Sequence, residues 1–107
     1  MRVSIKSKTS YGRPASPASE KQTAFAVNII TRINAALDEV SAIGFAVYAD
    51  EVGIVLDALT DGVEAGPRDV IEYLKNIERY QVFSKCYQLA RRDRNSLAVN
   101  ALNPYNI

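Results

Sequence analysis

Apolar residues recur at helical spacing over several stretches of the chain and lose that spacing between them. Phe25, Ala26, Ile29, Ile30, Ile33, Leu37 and Val40 fall on one side of a helical wheel, while Lys21, Asn28, Thr31, Arg32 and Asp38 fall elsewhere. Ser19 and Gln22 form a capping box at the start of this run, in which each side chain satisfies the other's backbone N–H. The pattern predicts a helix from residue 19 to about residue 42, with Gly44 as a left-handed stop. Plain core packing accounts for its apolar face.

Residues 45–63 fit two readings. As a helix, Phe45, Tyr48, Val52, Val55, Leu56, Leu59 and Val63 share a face, and Asp61 and Gly62 end it. As strands, "FAVYA" and "GIVLDAL" form a hairpin across 45–59, since Val, Ile, Phe and Tyr suit strands and Gly53 suits a helix poorly. The single shared face favours the helix.

Gly66 and Pro67 open a further helix, with proline in the first turn and Asp69 adding favourable charge there. Val70, Ile71, Leu74 and Ile77 form its apolar face. Val82, Phe83, Cys86, Leu89 and Ala90 then centre on nearly the opposite side of the same wheel. A straight amphipathic helix does not switch sides, so a bend near residues 80–81, or packing on a second layer or molecule, is expected. The closing "NSLAVNALNPYNI" is apolar enough to dock but lacks a clear period.

The expected fold is therefore all-α: a small domain of three to four helices behind a flexible N-terminal arm, with α+β and a hairpin at 45–59 as the alternative. Residues 1–18 form the basic arm, in which "RVSIK" alternates and Pro14 and Pro17 disfavour helix, and residues 19–107 form a single helical domain.

Composition narrows the function classes. The 107 residues are 48% hydrophobic and 23% charged, ordinary values for a globular domain. No histidine is present and Cys86 is the one cysteine, so an internal disulfide and any Ser-His-Asp or Cys-His arrangement are excluded. Cys86 stands on an apolar face as an inert core thiol. "DALTDG" imitates the start of a calcium loop, with Asp57, Asp61 and Gly62 in place, but Leu59 and Arg68 occupy ligand positions and exclude it. The glycines are scattered singly, so no phosphate loop is present. No catalytic residue, metal ligand or cofactor site is expected, and the protein reads as non-enzymatic. The longest apolar run spans residues 45–49 and no signal peptide is evident, which points to a cytoplasmic protein without membrane contact.

The net charge of +1 conceals segregation. Residues 1–21 hold five cations and one acid; residues 38–78 hold ten acids and two cations; residues 79–94 hold five cations and one acid. Two candidate binding surfaces follow. Asp50, Glu51, Asp57, Asp61 and Glu64 present acids either to a basic protein partner or simply to solvent. The basic C-terminal segment sets Arg79, Tyr80, Lys85, Tyr87, Arg91, Arg92 and Arg94 together, with tyrosines at 73, 80 and 87 recurring every seven residues. Guanidinium groups match phosphates and tyrosines stack on bases, so this segment suits nucleic acid. The same residues equally suit a core edge and a helix C-terminus.

"PASEKQTAFAVNIITRI" resembles a short helical module of small phage and plasmid proteins, carried here by Ser19, Glu20, Lys21, Gln22, Phe25, Ala26 and Ile29. "PRDVIEYLKNI" is similar to a helix opening of the same modules, and the two cover about a quarter of the chain. The resemblance implies a mobile-element accessory protein and brings no catalytic residue with it. By class analogy, small histidine-free phage proteins include inhibitors of bacterial defence complexes, anti-CRISPR proteins among them. The leading expectation is a phage protein that binds and inhibits or modulates a host nucleoprotein complex through the acidic surface. A nucleic-acid-binding accessory protein and a structural or assembly subunit, including a homodimer, are the alternatives.

Overall fold

A computed structural model describes residues 2–9, 11–61 and 65–103. The described residues form five helices in order: α1 Glu20–Ala42, α2 Ala46–Ala58, α3 Pro67–Leu74, α4 Arg79–Arg92 and α5 Ser96–Leu102. The described residues contain no strand, only an isolated bridge between Lys8 and Pro14. The all-α expectation holds, with five helices in place of three to four, and the hairpin at 45–59 gives way to α2.

α1 is the axis of the domain, and α2, α3 and α4 pack against it. Its capping box forms as expected: the Gln22 N–H donates to Ser19 Oγ at 3.1 Å, and the Ser19 N–H donates to Gln22 Oε1 at 3.0 Å. Gly44 follows the helix at φ 105°, where a side chain is disfavoured. Ala26, Ile29, Ile33, Ala36, Leu37 and Val40 are buried, whereas Phe25 is exposed, contrary to the expected face.

α2 turns Tyr48, Ala49, Val52, Gly53 and Leu56 inward. Gly53 is thus a packing residue inside a helix, which explains a composition that looked partly strand-like. Val55 and Leu59, expected on the inner face, are exposed; Val63 lies outside the described residues.

The change of apolar face near residues 80–81 has a simple origin. The chain leaves helix after Leu74 and starts a new one at Arg79. Glu78 caps α4 in a second reciprocal box with Gln81, whose Oε1 accepts from the Glu78 N–H at 2.7 Å. Two helices, each with its own face, replace one bent helix. Asn95 caps α5 by accepting from the Ala98 N–H at 3.2 Å, so the tail that lacked a period begins as a short helix with Ala98 and Leu102 buried.

Phe83, Ile29, Ile33, Leu37, Leu56, Leu74 and Leu102 are fully buried in the shared core. Side chains of this kind contribute about 1.5–3 kcal/mol each on burial. Before α1, Val3 is 2% exposed and its backbone pairs both ways with the Asn34 amide, at 3.0 and 2.9 Å. Gly66 sits at φ 105° where a Cβ would meet Ala15 Cβ at 3.1 Å, so both conformation and close approach require glycine.

Candidate functional site

The two candidate surfaces meet on α2 and α4, and ion pairs decide how each is used. Among the acids, Asp57 accepts from Lys6 Nζ and from the Ser4 N–H at 3.0 Å. Asp50 lies 3.6 Å from Arg2, which also pairs with Asp38 at 2.6 Å. Glu51 accepts from Arg92 Nη1 at 3.0 Å. Asp61 is exposed, and Glu64 lies outside the described residues. The acidic middle of the sequence therefore meets the basic ends in space, and three of its five candidate residues are charge-matched by their own chain.

α4 sorts the basic candidates onto three faces. Toward the core it buries Val82, Phe83, Cys86 and Ala90. Arg79 stands at the start of that side, with its guanidinium 4.8 Å from the Phe83 ring centroid. It grips Glu39 of α1 through Nη2 and through Nε, the latter at 3.0 and 3.1 Å from the two carboxylate oxygens. Hydrogen bonding to Arg79 holds the Glu39 carboxyl below its ordinary value. Arg92 bridges Glu51 and Asp93; its hydrogen bonds raise its own pKa and lower that of Asp93. Lys85 lines a groove of about 350 Å³ between α2 and α4, with Glu51, Val52, Val55, Gln88 and Leu89.

The outward face differs. Tyr80, Ser84, Tyr87 and Arg91 fall within about 60° of one another at helical spacing. Tyr80 is 44% exposed, whereas Tyr87 is half-buried and packs against the core edge, with the Arg91 guanidinium 5.9 Å from its ring centroid. Arg94, just past the helix end, adopts φ 54° and joins Arg91, Ser96, Val99 and Asn100 around a shallow cleft of about 340 Å³. No acidic residue lies on this stripe, and among the described residues none lines this cleft. Tyr73 belongs to α3, so the expected series of tyrosines every seven residues is broken between Tyr73 and Tyr80.

Sequence reasoning missed Ser96 and Asn100, whose only signal is a polar pair at i, i+4 in a tail without obvious period. It also missed Glu39 as the partner of Arg79, forty residues distant. Cys86 is buried, and burial pushes its thiol up to about 12, as an inert core cysteine requires. Among the described residues no cluster of three or more metal-ligating side chains occurs, and no helix is long and apolar enough to cross a membrane.

A further surface is apolar. Val47, Ile54 and Val55 of α2 and Leu59 at its C-terminal cap are exposed, so this helix is apolar on its outer side as well. Val47 lines a third cleft with Gly44, Phe45, Tyr48, Asn95 and Leu97, and Leu97 is 78% exposed. Scanned against protein-family models the sequence matches none, and neither curated proteins nor solved structures yield a significant match.

Proposed function

We propose that this chain is a non-catalytic binding protein that engages the nucleic acid of a host nucleoprotein complex through the outer face of α4. The observation that carries this reading is the acid-free stripe of Tyr80, Tyr87, Arg91 and Arg94, which combines aromatic faces with guanidinium groups. The likeness to phage and plasmid helical modules supports a setting in a mobile element, where modulation of a defence complex of the anti-CRISPR type is one such role. The acidic surface contributes less to this reading, because Asp50, Glu51 and Asp57 already face cations of the same chain. The test is fluorescence anisotropy with labelled DNA and RNA oligonucleotides at low and moderate salt. Binding that weakens steeply with salt is expected; no binding to any oligonucleotide at low salt overturns the reading.

A second reading is favoured by the outer side of α2. Asp50, Glu51 and Asp57 beside its exposed Val47, Ile54 and Val55 are matched within the chain, which lowers the repulsion between two copies of α2 brought together antiparallel. On this reading the chain is an assembly subunit that forms a homodimer. Light scattering over a roughly hundredfold concentration range then shows mass rising toward the dimer, and a constant monomer mass excludes it.

A further inference from the structure

We propose that the cleft at the α4–α5 corner holds a phosphate group of a single nucleic-acid strand, with the bases laid along Tyr87 and Tyr80. This deepens the reading of α4 as a nucleic-acid surface and rests on it. Arg91 and Arg94 line one cleft with no carboxylate among its described walls, and two like charges placed so gain from an anion between them. Ser96 and Asn100 lie one turn apart on α5 and add a hydroxyl and an amide to the same walls. The αL backbone of Arg94, unfavourable for a side chain other than glycine, is the turn that brings this residue back toward Arg91.

The surroundings of α4 select a single strand over a duplex. A duplex that seats a helix in its major groove sets a phosphate backbone along each side of that helix. On α4 those sides carry Arg79 and Arg92, which are already engaged by Glu39, Glu51 and Asp93, and Glu78 pairs with Arg32 at the helix start. Carboxylates therefore border the helix where a second backbone would run. A single strand needs only the one stripe, and tyrosine faces stack only on unpaired bases.

The experiment compares a labelled single-stranded oligonucleotide with its duplex, using the wild type and Arg91→Gln/Arg94→Gln. Both arginines are exposed, and an unchanged melting curve verifies that the variant folds. The single strand is expected to bind about tenfold or more tightly than the duplex, as one stacked base entails. The variant should weaken single-strand binding and flatten its log–log salt slope by about 0.7, the contribution of the one phosphate the cleft holds. Lys85→Gln, in the separate α2–α4 groove, should alter neither preference nor slope by more than the loss of one distant charge. A duplex bound as tightly as the strand, or a salt slope unmoved in the double variant, overturns this inference while leaving nucleic-acid binding intact. Absence of binding to either oligonucleotide removes the underlying reading as well. Inorganic phosphate at matched ionic strength separates the two sources of the anion: displacement of the strand by phosphate far below its effect as a salt would reassign the cleft to free phosphate.

Discussion

Arg79 and Arg91 lie on the same helix, each with its guanidinium over an aromatic ring, and they meet opposite surroundings. Arg79 covers Phe83 and grips Glu39, so its charge is answered inside the molecule. Arg91 covers Tyr87 and shares a cleft with a second arginine and, among the described residues, no acid. What distinguishes a structural cation from an available one is thus a carboxylate within reach, rather than residue type, exposure or ring stacking. The same contrast divides Arg92 from Arg94 at the other end of α4.

The strongest challenge to that contrast removes the inner side altogether. Phe83→Ala empties a fully buried site and should cost about 3–5 kcal/mol in chemical denaturation, whereas Tyr80→Ala on the outer side should cost well under that. Comparable losses at both positions would mean that the outer tyrosine is packed rather than available. Next in size is Tyr87→Ala, which should reduce affinity for a single-stranded oligonucleotide by about 1–3 kcal/mol if the ring stacks on a base. Undiminished affinity would assign Tyr87 to the core edge and to supporting Arg91.

A smaller and more discriminating effect comes from Glu39→Gln/Glu51→Gln. Arg79 then loses its carboxylate and Arg92 keeps only Asp93, so the two charges removed beside α4 should strengthen nucleic-acid binding and steepen its salt dependence. A fall in affinity would show that these ion pairs build the binding surface. The least effect is a pH dependence. Glu39 ionises below its ordinary value of 4.5 because Arg79 stabilises the carboxylate. The stability it confers is complete above that ordinary value and is lost as pH falls through the lower folded-state value. The exposed pair is worth about 1 kcal/mol or less, so the wild type should exceed Arg79→Ala slightly at neutral pH and converge with it in acid. A difference that persists unchanged in acid would trace the arginine's contribution to Phe83 instead.

Much of the fold was legible in the sequence because its signals are local. The Ser19 box, the glycine after α1 and the proline opening α3 each act within a few residues, and each sits at a helix boundary. The division between α3 and α4 was harder to read, since no glycine or proline marks it and its cap is Glu78, an uncommon capping residue. α5 spans seven residues, too few turns for a period to emerge. The site was legible only as composition. Basic and aromatic residues stood out on α4, but their division into inner and outer sets depends on Glu39 and Glu51, which lie about forty residues away in the chain. Charge segregation along a sequence does not reveal whether the blocks face solvent or each other.

Cys86 gives the domain a chemical clock of its own. It is the one thiol in the chain, fully enclosed on the core side of α4. A thiol reagent can reach it only when that side opens, so every modification event counts one opening. With dilute reagent the labelling rate follows the population of the open form, and with abundant reagent it follows the opening rate itself. A ligand seated on the outer face of α4 would slow this clock without touching the sulfur, turning a buried side chain into a distant witness of occupancy.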